Sequence, residues 1–387
     1  MWYRDFIDFV RSIYGNDFIP LHRPVFDDSE KNNLVECIDS NFVSSVGYGV
    51  KRFEDNIAKF TGHKFAVATV NGTSALHIAL HITGVQQGDE VITQALTFVA
   101  TANAISYCSA KPIFIDVDID TLGMSPKALS EWLSKNTIQK NGLCINKTTG
   151  SIIKACVPMH TFGLPCRANE ISKICKKFNL KLIEDTAESL GSFIKHKHTG
   201  THGDIATFSF NGNKIITTGG GGMIVTNNKK TAEVAKHLTT TAKIDHPYEF
   251  NHDQVGYNYR MPNINAVLGL SQMKKLNHFL SIKKDLANYY HNFFSSKKNV
   301  KFVNPVAESD SNFWLNAILL PDIKHRDDFL KETNDRNIMT RPIWTPLNKL
   351  PMFKECECGP LATTSYLEER IVNIPSSVPS MNWSSCE

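Results

Sequence analysis

The chain has 387 residues, 42% hydrophobic and 21% charged, with a formal net charge of +4. That length buries a large core and suits one large domain plus a smaller one, in an ordinary soluble globular composition. So mild a charge gives no reason to expect nucleic acid or an anionic membrane as the main partner, and no apolar run is long enough to span a bilayer.

At the N-terminus there is no basic start followed by an unbroken apolar core, so the segment does not read as a secretion signal. Trp2, Phe6, Phe9, Val10 and Ile13 fall on one side of a helix, which predicts a packed or subunit-contacting helix. Nine cysteines, scattered through apolar segments, read as reduced thiols in a cytoplasmic protein. Cys356-Glu357-Cys358 is too isolated for a structural zinc site. His196, His198 and His202 lie in a Lys- and Gly-rich stretch that reads as a loop, so no metal is expected.

From about residue 64 to 228, short apolar strands alternate with helical stretches. Strands are predicted over 65–70, 90–93, 112–117, 152–159, 182–184, 205–210 and 222–226, with helices over 74–82, 98–107 and 169–178. This is a doubly wound α/β layout with a mostly parallel sheet, and in such sheets ligands collect at the carboxyl ends of the strands. Past about residue 262 the texture changes: one or two long helices over 264–294, a strand over 312–320, a helix over 325–337 and a strand over 338–343. The predicted division is an N-terminal segment 1–50 belonging to the small domain or a subunit contact, a large α/β domain 51–262, and a small α+β domain 263–387.

Asn71-Gly72-Thr73-Ser74 follows a strand and opens a helix. Free N–H groups and the positive end of the helix dipole favour a phosphate there, with Gly72 allowing close approach and Thr73 and Ser74 adding hydroxyls. The alternative is that Thr73 or Ser74 merely caps the helix. Phe98, at a strand-to-helix turn, either lays its ring on a planar cofactor or packs in the core. In Glu184-Asp185-Thr186-Ala187-Glu188-Ser189, Asp185 projects from the sheet's carboxyl edge. A buried carboxylate needs a cationic partner or donors, and a pyridinium nitrogen would serve; the alternative is a helix N-cap. Lys214 lies between Ser209 and the four consecutive glycines Gly219 to Gly222. An amine whose surroundings disfavour the ammonium form becomes a nucleophile that a carbonyl partner traps as a Schiff base. Gly256-Tyr257-Asn258-Tyr259-Arg260-Met261, dense in polar and aromatic groups, reads by itself as a packed domain junction.

Taken in order, the phosphate turn, the aromatic, the acidic strand end, and the serine and lysine before glycines resemble the pyridoxal-phosphate-dependent nucleotide-sugar aminotransferases of the DegT/StrS type. The resemblance spans almost the whole chain. Phe42-Val43-Ser44-Ser45-Val46-Gly47, Pro158-Met159-His160-Thr161-Phe162-Gly163, Ser209-Phe210-Asn211-Gly212-Asn213-Lys214 and His237-Leu238-Thr239-Thr240-Thr241-Ala242-Lys243 resemble the branch that makes 4-amino sugars for legionaminic acid and bacillosamine-type glycans.

This resemblance implies an aspartate aminotransferase-like fold (fold type I) with pyridoxal 5′-phosphate bound covalently at Lys214. It also implies that Gly72, Thr73, Ser74 and Ser209 hold the phosphate, Phe98 and Ala187 bracket the ring, Asp185 binds the ring nitrogen and Glu188 reaches the phenolic oxygen. Asn258 would reach the phosphate from a neighbouring subunit, making a homodimer with shared sites. The implied donor is L-glutamate and the implied acceptor a 4-keto-6-deoxy nucleotide sugar, UDP-linked and 2-acetamido, for cell-surface glycans. Relatives that dehydrate sugars carry His in place of the lysine, so Lys214 argues against that reaction. For the sugar nucleotide, Arg341 suits a diphosphate, and His160 and Lys243 are further candidates. Alternatives are another keto sugar or a cyclitol, or a non-enzymatic cofactor-binding regulator. A nicotinamide-dependent dehydrogenase fails on the missing Gly-x-Gly-x-x-Gly.

Overall fold

The alternating apolar runs form a large sheet whose strands are buried on both faces. The computed structural model describes residues 2–379, so Cys386 lies outside the described residues; the other eight cysteines are free thiols. In chain order the first elements are helices α1 (Tyr3–Tyr14), α2 (Asp28–Asp39) and α3 (Tyr48–Thr61). Next come β1 (Phe65–Thr69), α4 (Gly72–Ile82), β2 (Glu90–Gln94), α5 (Ala100–Tyr107), β3 (Lys111–Ile115) and α6 (Pro126–Asn136). The large unit continues through β4 (Ile152–Val157), α7 (Ala168–Lys177), β5 (Lys181–Asp185), β6 (Ile205–Ser209), β7 (Gly222–Thr226) and α8 (Lys229–Thr239).

These strands lie in the order β1-β7-β6-β5-β4-β2-β3, and a hairpin of Thr137–Lys140 and Leu143–Asn146 adds to the edge of β4. All neighbours are parallel except β7, which runs antiparallel to both β1 and β6. Because side chains alternate along a strand, Val67 and Ile224 face one helical layer with Leu76 and Leu80 of α4. Ala68, Met223 and Val225 face the other, against Phe53 of α3 and Phe279.

A single 33-residue helix, α9 (Asn263–Ser295), leads from the large sheet to a four-stranded one. The latter comprises β8 (Lys301–Phe302), β9 (Asn316–Leu319), β10 (Arg341–Pro342) and β11 (Ile371–Ile374), with α10 (Ile323–Asn334) and α11 (Ala362–Glu368) between them. Its order is β8-β9-β11-β10 and every pairing is antiparallel. Phe6 and Val10 of α1 pack with Tyr290 of α9 and Phe329 of α10, so the N-terminal helix is a packed helix of the small-sheet layer.

The strand expectations 112–117 and 152–159 each run two residues too far, and two in the small-sheet layer overshoot by more. The run 338–343 joins the sheet as a strand only at Arg341–Pro342, because its start pairs with Ile19 instead: Ile338 bridges Ile19, and Met339 N donates to the Ile19 carbonyl at 2.9 Å. The run 312–320 begins its strand at Asn316, since the Asn312 side chain takes the Trp314 N–H and turns the chain first. No helix among the described residues is long and apolar enough to cross a membrane.

Candidate active site

The carboxyl ends of β1, β5 and β6 lie on one edge of the sheet, where a cavity of about 350 Å³ opens. At the end of β1 the Asn71 side chain accepts from Ser74 N at 2.7 Å and caps α4, so neither Thr73 nor Ser74 is the cap. The amides of Gly72 and Thr73 precede the helical ladder and have no partner within α4. Both residues line the cavity. A Cβ on Gly72 would stand 2.9 Å from Ser209 Cβ, and one on Gly222 would stand 2.3 Å from the Asn71 carbonyl oxygen. Glycine at these points lets the turn seat directly against the ends of β6 and β7.

Asp185 closes β5 and runs into a loop, so it caps no helix. It is 3% exposed, accepts from Thr101 Oγ1 at 2.7 Å and from Ala187 N at 3.1 Å, and has no ion-pair partner among the described residues. Burial pushes its pKa up, against the pull of Thr101 and Ala187.

Lys214 reaches the same space from the turn after β6, its side chain 12% exposed. Its Nζ is 3.4 Å from Glu188 Oε1 and 4.0 Å from the centroid of the Trp314 ring. The Trp314 indole N–H donates to the Asn213 carbonyl at 2.6 Å, which fixes the ring beside the lysine. Glu188 also accepts from Phe162 N at 2.8 Å, from a residue at φ +58°. Burial raises the Glu188 carboxyl to about 7, opposed by the Lys214 charge and the Phe162 amide. Phe98 stands half-exposed at the mouth, 6.4 Å from the Trp344 ring, and Ala187 lines the wall.

The cavity thus gathers Gly72, Thr73, Phe98, Asp185, Ala187, Glu188, Ser209 and Lys214. Ser74 is buried, its amide taken by Asn71, and it does not line the cavity. Three substrate candidates stand elsewhere. His160 is fully buried, its Nε2 donating to Glu184 at 3.1 Å while Cys166 N donates to its Nδ1 at 3.1 Å. Both ring nitrogens are therefore engaged inside the core and neither faces the cavity. Lys243 lies over the Phe250 ring at 4.1 Å, and Arg341 is exposed and donates to Asn334 and Thr340. Asn258 is exposed outside its own chain's cavity, where it accepts from Arg260 at 3.2 Å.

Sequence reasoning missed Thr101, Trp314 and Trp344. Thr101 sits one helical turn after Phe98, a spacing that was readable. The two tryptophans come from the small-sheet layer and carry no local motif.

These residues fit pyridoxal phosphate. A buried carboxylate without a cation suits a pyridinium N–H, unpaired first-turn amides suit a phosphate, and a half-exposed phenyl suits the face of a ring.

A model of the DegT/DnrJ/EryC1/StrS aminotransferase family matches residues 24–384. The GDP-perosamine synthase of Escherichia coli O157:H7 is 37% identical across 93% of each chain. That of Vibrio cholerae is 33% identical across 92% of this chain and 94% of its own. The putative pyridoxal phosphate-dependent aminotransferase EpsN of Bacillus subtilis (strain 168) is 36% identical across 87% of this chain and 84% of its own. The crystal structure of the aminotransferase TlmJ from Streptoalloteichus hindustanus superposes with a TM-score of 0.84 at 25% identity, covering 93% of each chain. With nearly every residue inside that match, the chain belongs to the DegT/DnrJ/EryC1/StrS aminotransferase family.

Proposed function

We propose that this protein is a pyridoxal 5′-phosphate-dependent aminotransferase that moves an amino group from L-glutamate to the C4 keto carbon of a GDP-linked 4-keto-6-deoxy sugar. The observation that carries the chemistry is a poorly exposed Lys214 sharing one cavity with the buried, cation-free Asp185. The relatives named GDP-perosamine synthase support the GDP-linked sugar over the UDP-linked 2-acetamido sugar that the motif resemblance implied.

When bound, the cofactor supplies an electron sink for the carbanion. Asp185 would hold a proton on the ring nitrogen, and the turn at Gly72 and Thr73 would take the phosphate together with Ser209. Phe98 and Ala187 would bracket the ring, and Glu188 would reach its phenolic oxygen. Lys214, as a free amine, would move the proton at the donor's α-carbon in the first half-reaction and at the sugar's C4 in the second. Trp314 and Trp344 wall the space.

Two copies complete the site in this reading. Asn258 lies outside its own cavity, and Phe42, Val46, Tyr248, Phe250 and Val255 are exposed apolar side chains suited to a subunit contact.

The test is a panel of GDP-, UDP- and dTDP-linked 4-keto sugars with L-glutamate, read by mass spectrometry of the product, alongside Lys214→Ala. The GDP-linked sugar is expected to gain an amine and the variant to lose turnover by orders of magnitude. Amination of the UDP-linked 2-acetamido sugar alone would move the substrate to the second reading. Substantial turnover by the clean variant would defeat the assignment of Lys214.

A further inference from the structure

Lys283, midway along α9, has no exposure to solvent and no ion-pair partner among the described residues. An apolar side chain of that length would serve a core better, since an unpaired amine is costly to bury. Its Nζ donates to two main-chain carbonyls, Trp314 at 3.2 Å and Ser376. Burial lowers its pKa to about 7, and a neutral amine has two N–H groups for two acceptors.

What those bonds hold is the residue above Lys214. The Trp314 carbonyl is taken by Lys283, and the Trp314 N–H goes to Asn312 Oδ1 at 2.8 Å. Asn312 in turn donates to the Glu188 and Leu190 carbonyls, both at 2.9 Å. The Trp314 indole ends 4.0 Å from Lys214 Nζ and bonds the neighbouring Asn213 carbonyl. One buried amine thus connects the long helix to the ring that covers the reactive nitrogen.

We infer that Lys283 is a positioning residue of the active site: by holding the Trp314 and Ser376 carbonyls, it fixes the Trp314 indole over Lys214. Its catalytic meaning rests on the reading of Lys214 given above, but its test does not. Reductive methylation with formaldehyde and cyanoborohydride labels amines without cofactor or sugar, and peptide mass spectrometry reads each lysine separately. In the full chain, Lys283→Met and Trp314→Ala are each expected to speed labelling of Lys214 about tenfold, and the double variant to be no faster than Trp314→Ala. Lys275, on the same helix and 11% exposed, is expected to keep its rate and serves as the control. An unchanged Lys214 rate in Lys283→Met, effects that multiply in the double variant, or equal acceleration at Lys275 would each overturn the inference. Should Lys283→Met not fold, Lys283→Gln takes its place, with N–H donors on a chain one bond shorter. An intermediate acceleration that vanishes in the Trp314→Ala background supports the inference, and a wild-type rate overturns it.

Discussion

Asp185 and Glu188 share one loop, and burial pushes both carboxyls toward the neutral form, yet they are held by different groups. Asp185 has only a hydroxyl and an amide, so its charge awaits the ring nitrogen. Asp185→Asn keeps the shape and removes the charge. Turnover is expected to fall by about a hundredfold or more while some cofactor still binds, and near-normal rates would reject its role. Glu188 lies next to Lys214 and titrates near 7. Its folded value is above the ordinary carboxyl value of 4.5, so the native state holds a proton that the unfolded chain has released. Stability therefore falls as pH rises from 4.5 through about 7, by up to about 3 kcal/mol for this group. Urea melts of the cofactor-free protein should show that decline in the wild type and a flatter profile in Glu188→Gln. Identical profiles would place the proton elsewhere.

Helix α4 begins where the phosphate is expected, and Asn71 both ends the turn after β1 and caps the helix. Asn71→Ala leaves the Ser74 amide without its acceptor, at a cost of about 1 kcal/mol. The melting temperature should drop and cofactor affinity should weaken several-fold; a variant that melts earlier but binds normally would separate the cap from the phosphate site. The sequence made this turn visible because a strand, a glycine and a helix follow one another within a few residues. It hid which residue caps, since Asn71, Thr73 and Ser74 are all cap formers. The reversed direction of β7 was equally hidden: apolar residues alternate alike in either direction, and only the path of 210–221 decides it. Pro342 could have warned that its strand lies at the edge of the small sheet.

The two sheets meet at the cavity, and this is why its floor was legible and its wall was not. Gly72, Asp185, Ser209 and Lys214 sit at strand ends of one sheet, in sequence order, whereas Trp314 and Trp344 arrive from the second layer after α9. Beneath the floor, Glu184 accepts from the His160 ring and from the amides of Gly200, His202 and Gly203 at 2.9, 2.7 and 2.6 Å. Burial would raise this carboxyl, but the donors win and hold it near 2. Its stabilisation is present above 4.5 and is lost as pH falls toward 2, the opposite sense to Glu188. Glu184→Gln should melt earlier at neutral pH and lose its disadvantage in acid; a constant gap across pH would reject the account. Phe162 carries the remaining consequence. A bulky side chain at φ +58° costs about 1 kcal/mol or more, yet here it delivers an amide to Glu188 and a ring 5.0 Å from Trp344. Glycine at 162 would relax that strain but empty a fully buried ring site, a loss of about 3–5 kcal/mol that outweighs it, so heat-based selection for sturdier variants would keep the phenyl group where it braces Trp344.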